Sequence, residues 1–399
     1  MNQAPKIETH NAVLGSLSAS PLTVAVVLDS WNYPYNGTVV STRRFVEGLV
    51  RQGCRVRVIA MEGAETDLPG VEIYHLPKLN VLFLNGLITR MQAYVARPKR
   101  KIIAKALDGV SILHVQWPFF VGAAAIKEAT RRNIPVVSSF HVQAENLMAN
   151  LHLPAGFFGP LIYGIFRRWI YDRSQRVVAP SAFARDELRR AGVRGPIDVL
   201  SNGVPEAHLA AYRQRAVEGR PIKVLCVGRL AVEKRQETIV AALGMSAYRT
   251  HFDITFVGSG PREKSLRQQC QNQRLRFKFI KPTDDELDAL YANADVFLHA
   301  GESELEGMSV MQAMAAGVPT LVSDSQLSAA GELASGDMSR FQAGNASHLA
   351  QQLDALIEQP DRALKMSRDN HERMTGFSHS QSLAGLISIY QTLCVGSER

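Results

Sequence analysis

Residues 223–257, KVLCVGRLAVEKRQETIVAALGMSAYRTHFDITFV, decide the fold. After Lys223 an apolar run continues to Val227 and stops at Gly228, the stretch 234–243 carries apolar positions at helical spacing, and a second strand-like run, DITFV, follows at 253–257. A strand, a helix and another strand in so short a span describe a parallel pair with a crossover helix on one face.

The rhythm continues in both directions. Downstream the sequence predicts helices at 263–273, 284–293 and 309–316, and strands at 276–280, 295–299 and 320–322. Upstream it predicts strands at 22–28, 55–60, 71–76, 111–115, 136–140, 176–179 and 197–200. The helices between them include 39–52, 122–132 and 181–191, the last with Ser181 as N-cap and Gly192 just past its end. A polar, Pro-flanked interval at 202–221 separates the two series. The expectation is an α/β protein of two doubly wound, Rossmann-like domains facing across a cleft. Its parts are a disordered tail over 1–20, an N-terminal domain over 21–201, a linker over 202–221, a C-terminal domain over 222–376, and a final helix in 377–399 that crosses back to the N-terminal domain.

Composition bounds the function classes. With 399 residues, 46% apolar and 21% charged, the chain is long enough for two or three cores and is neither disordered nor of low complexity. The richest apolar stretch, 110–126, is interrupted by His114, Gln116, Trp117 and Pro118, so no membrane-spanning helix is expected. Residues 1–20 lack the basic start and apolar centre of a secretory signal. Cys54, Cys226, Cys270 and Cys394 have no metal-like or disulfide-like spacing, which points to reduced thiols in a cytoplasmic protein. Up to residue 200 there are 24 Lys and Arg against 14 Asp and Glu, then 21 against 23. The first half is therefore +10 and the second −2, which calls for an anionic partner of the first half, a nucleic acid or an anionic membrane surface.

Chemistry is expected in the loops after strands. Gly228 and Arg229, followed by Lys234 at a helix start, place cations where a diphosphate would sit. Gly258 and Gly260 form a turn before the next helix, and Ile280 ends the strand beyond it. After His299 the chain reads AGESELEGMSVMQAMAAGVP. Here Gly307, Met308 and Ser309 enter a helix whose first amides suit phosphate oxygens. Glu304 and Glu306 lie just before it and suit sugar hydroxyls. Gln312, one turn inside, can hold a second diol such as a ribose.

The segments VGRLAVEKRQ and VGSGP and the block from Glu304 to Gln312, in this order, resemble the retaining glycosyltransferases of family 4, which have the GT-B fold. The resemblance spans about residues 20–395. Glu304, Gly307, Ala313, Gly317 and Pro319 match the family pattern, whereas Gln312 replaces its second Glu. It implies that Asn36 and Gly37, in the loop YPYNGTVVSTRRF, approach the donor sugar and diphosphate, and that His141, in SSFHVQAEN, faces the transferred sugar. Arg229 and Lys234 would stabilise the leaving phosphate while Glu304 and His141 hold the sugar. No Asp-x-Asp motif occurs, so no metal and no cofactor beyond the nucleotide-sugar co-substrate are expected.

The segments LHVQWPFFVGAAA, SFHVQAEN and SDSQLSAAGELA look like the bacterial subgroup that glycosylates diacylglycerol or related lipids. Residues 81–107 interleave Leu82, Phe83, Leu84, Leu87, Ile88, Met91 and Tyr94 with Arg90, Arg97, Lys99, Arg100, Lys101 and Lys105. Residues 157–176 combine Phe157, Phe158, Ile162, Ile165, Phe166, Trp169 and Tyr171 with Arg167, Arg168, Arg173 and Arg176. Apolar residues beside cations suit an interfacial helix on an anionic leaflet. The resemblance therefore implies a peripheral enzyme on the inner face of the plasma membrane that moves a hexose or hexuronic acid, from a UDP-sugar in preference to GDP or ADP, onto a lipid. A cell-envelope glycan such as a lipopolysaccharide core is the alternative acceptor. A nucleic-acid-binding protein and a nucleotide-sugar epimerase are alternatives of other kinds.

Overall fold

Strands covered by helices on both faces must be apolar throughout, and here they are: Val24, Ala25, Val26 and Val27 are all at most 2% exposed. The computed structural model describes residues 21–32, 36–66, 68–79, 95–151, 155–217, 221–334 and 336–396. The expected tail, 1–20, and the apolar and basic positions Leu82, Phe83, Leu84, Leu87, Ile88, Arg90, Met91 and Tyr94 lie outside them.

The first sheet contains β1 (Thr23–Val27), β2 (Arg55–Met61), β3 (Val71–Leu76), β4 (Ile112–Val115), β5 (Val136–Ser139), β6 (Arg176–Ala179) and β7 (Ile197–Val199), in the order β3-β2-β1-β4-β5-β6-β7. The second contains β8 (Ile222–Val227), β9 (Phe252–Val257), β10 (Arg276–Ile280), β11 (Val296–His299), β12 (Thr320–Ser323) and β13 (Arg340–Phe341), in the order β10-β9-β8-β11-β12-β13. All pairings within both sheets are parallel. Each expected strand is present; β13, only two residues long, shows no periodicity that could have announced it.

The strand order reverses between β1 and β4 in one sheet and between β8 and β11 in the other. Crevices open at such points, beyond the carboxyl ends of the strands. One expected helix begins late. Residues 232–234 form a single 3₁₀ turn, Arg235 takes a left-handed conformation at φ +48°, and the α-helix runs from Gln236 to Met245 instead of from Lys234.

The last helix, His379–Gly396, buries Leu383, Leu386 and Tyr390 against the same face of the first sheet as Val24, Val26 and Val39. Its approach runs beside the segment that leaves the first sheet. Val204 N–H donates to the Phe377 carbonyl at 2.7 Å, and His379 N–H donates to the Val204 carbonyl at 2.9 Å. Leu305 and Ala329, from the second half, are buried within the core of the first.

Candidate active site

The loops at the two strand-order reversals carry nearly all the expected donor-side residues. Beyond β8, Arg229 pairs with Glu233, and Lys234 pairs with Glu304 from the loop beyond β11. His299 Nε2 stands 3.3 Å from the same Glu304 oxygen. Burial pushes the Glu304 carboxyl up, but Lys234 and His299 outweigh it and hold the group down at about 2. Arg235, turned by its left-handed backbone, donates to Glu302 at 2.8 Å. The loop pair is thus charged but internally compensated.

The first intrahelical bonds of Met308–Ala315 are those of Val310 and Met311, both donating to the Gly307 carbonyl, so the Met308 and Ser309 amides precede them at the open end. Gly307 reaches this turn at φ +89°, a conformation natural to glycine. Across the cleft, the space where a Gly37 side chain would be is bounded by Met308 Sδ, 3.8 Å from the position of an added Cβ. The first residues of helices 37–51 and 308–315 therefore come close together, with Lys234 and Glu304 beside the second of them.

Several expected contacts are corrected. Both carboxylate oxygens of Glu306 are taken where the N-terminal domain meets the linker: Ser201 Oγ and Asn202 N–H donate to one and the Asn202 amide to the other, so Glu306 clasps the chain between the halves instead of facing a sugar. Burial pushes its carboxyl up to about 7 against those three donors. Asn36 is the N-cap of its helix, its side-chain oxygen accepting from Thr38 N–H at 3.0 Å and Val39 N–H at 3.5 Å. Gly258 and Gly260 act through loop packing: an added Cβ would lie 2.3 Å from the Gly228 carbonyl oxygen and 2.2 Å from that of Leu230. Gly258 N–H also bonds the Ile280 carbonyl at 3.0 Å. Gln312 is nearly buried, and its Oε1 accepts from the Tyr291 hydroxyl at 3.1 Å.

The N-terminal side is neutral. His141 Nε2 lies 3.1 Å from Gln116 Oε1, and burial holds its imidazole down at about 4. His114, beneath it, contacts the Tyr390 hydroxyl at 2.6 Å and Ser139 Oγ at 2.8 Å; burial and the neighbouring His141 hold it down at about 3. Both rings line a cavity of about 20 Å³ together with Gln116, Ser139 and Asn202. Among the described residues, no group of three or more His, Cys, Asp or Glu could hold a metal ion.

Residues 35–208 match the Glycosyltransferase Family 4 family, and residues 211–373 match Glycosyl transferases group 1. The chain is a glycosyltransferase of family 4. A GDP-mannose-dependent alpha-mannosyltransferase of Corynebacterium glutamicum is 28% identical to this enzyme over 75% of its chain and 72% of the relative. An alpha-monoglucosyldiacylglycerol synthase of Streptococcus pneumoniae is 23% identical over 75% and 70%. Sucrose-phosphate synthase from Thermosynechococcus elongatus superposes with a TM-score of 0.74 at 16% identity, covering 94% of this chain and all of that one. Anabaena HepE in complex with UDP and glucose gives 0.73 at 15% identity, over 93% and 99%. The fold of the glycosyltransferase is GT-B.

The helix Ala155–Trp169 of this glycosyltransferase leaves an apolar stripe in solvent. Phe157 is 78% exposed, Leu161 62%, Ile165 37% and Trp169 37%, at a spacing of four residues, and Phe120 joins them with its ring centre 5.9 Å from that of Trp169. Phe158 is half-buried and packs edge-on against Phe157. The expected face is corrected at Phe166 and Tyr171, which are buried in the core, and at Ile162, which packs against it. Arg97, Lys99, Arg100 and Lys101 are all exposed. No described helix is long and apolar enough to cross a membrane.

Sequence reasoning missed His299, Gln143, Ser303 and Asn202. His299 ends a strand beside the crevice, and Gln143 stands two residues beyond His141 in a loop already marked as functional. Those positions were the available signal, whereas the pairings depend on which loop faces which.

Proposed function

We propose that this glycosyltransferase moves a hexose from a nucleotide-diphosphate sugar to the hydroxyl of a membrane lipid, with retention at the anomeric carbon. The observation that carries the reading is the close approach of two helix N-termini, at Gly37 and Met308, beside the Lys234–Glu304 pair. It offers amides and cations to a diphosphate and a carboxylate to sugar hydroxyls within one crevice. Arg229, Lys234 and the Met308 and Ser309 amides take up the negative charge of the departing phosphate, so the reaction needs no metal ion. Glu304 and neutral His141 hold the sugar, and Gln312 the ribose. The bond between C1 and the phosphate oxygen breaks, the acceptor oxygen bonds C1 on the same face, and its proton passes to the leaving phosphate.

The lipid acceptor is supported by the exposed Phe157–Leu161–Ile165–Trp169 stripe and by relatives named for diacylglycerol and for phosphatidylinositol dimannoside. The stripe and the basic first half support a peripheral position on the inner, anionic leaflet. The donor base is UDP or GDP, since the relatives include GDP-mannose-dependent enzymes and the structural neighbours include a UDP complex.

The test is incubation with UDP-glucose or GDP-mannose and vesicles of mixed diacylglycerol and anionic phospholipid, followed by mass spectrometry of the lipids and assignment of the anomeric configuration by NMR. A lipid gaining one hexose in α-linkage supports the reading. Transfer only to a soluble envelope glycan removes the lipid acceptor, and sugar alteration without any acceptor removes transferase activity altogether. Steeply salt-dependent binding to duplex DNA, with none to vesicles, would revive the nucleic-acid explanation of the basic half.

A further inference from the structure

Polar bonds between the two halves converge on the loop that carries Glu304. Gln143, 1% exposed, lies in the loop beyond β5, two residues after His141. Its amide donates to the Leu327 carbonyl at 3.0 Å, and its Oε1 accepts from Ser303 Oγ at 2.8 Å. The same Leu327 carbonyl receives Glu304 N–H at 3.3 Å, while Ala329 N–H donates to the Glu304 carbonyl at 2.8 Å. These two bonds form a short bridge that holds the Glu304 backbone. Gln143 is attached on both sides of it, once to the residue before Glu304 and once to the carbonyl opposite. Ser181 Oγ adds a third crossing bond, to the Leu305 carbonyl.

A buried amide is a costly way to fill a contact unless its direction matters, because both of its ends must be satisfied. Gln143 is satisfied by the second half alone, so its bonds exist only while the halves are together.

We propose that Gln143 is a positioning residue, a strut by which closure of the two halves sets Glu304 against His141. The proposal rests on the reading that those two residues face the transferred sugar. Gln143 itself touches no substrate. It holds the backbone of a residue that does.

The experiment compares Gln143→Leu, Ser303→Ala and the double variant in the full-length enzyme. It measures UDP and GDP affinity by calorimetry, kcat and KM for whichever of UDP-glucose and GDP-mannose is used, and the radius of gyration by small-angle scattering with and without saturating nucleotide. A carboxylate misplaced by about 1 Å is expected to lower kcat by roughly 10- to 100-fold. Nucleotide affinity, most of whose proposed contacts lie in the second half, should stay within about threefold, and the wild type should compact on binding nucleotide while Gln143→Leu does so less. Ser303→Ala removes a single oxygen and spares the fold; it should lower kcat in the same direction, and the double variant should be no worse than Gln143→Leu.

The strut is overturned if Gln143→Leu turns over within threefold of wild type, if KM rises while kcat stays, or if the two single effects multiply. Should Gln143→Leu fail to fold, an unchanged kcat in Ser303→Ala overturns it alone. If Glu304→Gln leaves turnover intact, the active-site reading fails instead, and the scattering comparison still shows whether Gln143 controls closure.

Discussion

The two crevices of this glycosyltransferase are built in opposite ways. Beyond β8 and β11 the side chains are ions in pairs, Arg229 with Glu233, Lys234 with Glu304 and Arg235 with Glu302. At the carboxyl ends of β4 and β5 they are neutral and hydrogen-bonded, Gln116 with His141 and His114 with Ser139 and Tyr390. The same strand-order reversal thus supplies one crevice fit for a diphosphate and one fit for uncharged groups. Topology sets where a site lies, and the loop residues set what charge it accepts.

The largest expected effect tests the ionic crevice. Lys234→Ala should lower kcat by roughly 10²–10³ through loss of a preorganised cation at the developing phosphate charge. It also strands the Glu304 carboxylate, so unfolding stability should fall by up to about 3–5 kcal/mol. Adding Glu304→Gln should restore stability but not turnover. Restored turnover in the double variant would show that Lys234 serves Glu304 alone.

Outside both crevices, the stripe on helix 155–169 contrasts with the basic surface of the same half. Replacing Phe157 and Trp169 together by Ser should weaken sedimentation with anionic vesicles by roughly 10-fold or more, since burying one such side chain contributes about 1.5–3 kcal/mol. Raising salt from about 0.1 M to about 1 M shortens the Debye length from roughly 10 Å to 3 Å and should release the electrostatic part in the wild type. Equal binding to neutral and anionic vesicles would separate the stripe from the charge.

Gln312 is a neutral residue in the ionic crevice, where the family has Glu. Gln312→Glu keeps an acceptor for the Tyr291 hydroxyl and should retain activity. Gln312→Leu leaves that buried hydroxyl and the donor without a partner and should raise donor KM, at a cost of roughly 1–3 kcal/mol. Wild-type kinetics in both variants would reduce Gln312 to packing.

The smallest effect belongs to the neutral crevice. His114 and His141 are held at about 3 and about 4, below the ordinary value of 6.5. Their contribution to stability is therefore complete above about pH 6.5 and is lost as pH falls toward 4. Between pH 6.5 and 5.5 each should remove on the order of 1 kcal/mol, and denaturant titrations of His114→Gln should show a shallower decline. An unchanged slope would mean that His114 is already compensated when charged.

Charge makes the surface stripe harder to read than the sheets. The central strand 23–27 was legible because burial on both faces demands an unbroken apolar run, and the edge strands 71–76 and 276–280 because apolar residues recur in short runs between turns; both are local properties of the chain. Residues 157–176 were read as apolar and basic, but Phe166 and Tyr171 proved to be core while Leu161 proved exposed. Local composition does not say which face of a helix meets its neighbours.

The amino-acid sequence by itself determined the two doubly wound halves, the loops where chemistry lies, and Lys234, Glu304, His141 and the Gly307 turn as the residues to examine. Those follow from period, from strand ends and from helix starts, which act within a few residues, and for His141 from the family resemblance. Only the tertiary structure decided the partners: Glu304 with Lys234 and His299, Glu306 with Asn202 in place of a sugar, Gln143 across to Ser303, and Tyr390 of the last helix on His114. Apart from His299, which is five residues from Glu304, these contacts join residues 70 to 276 positions apart. At such separations the pairing depends on how whole layers pack and on which buried polar groups must satisfy one another, and no local pattern encodes that.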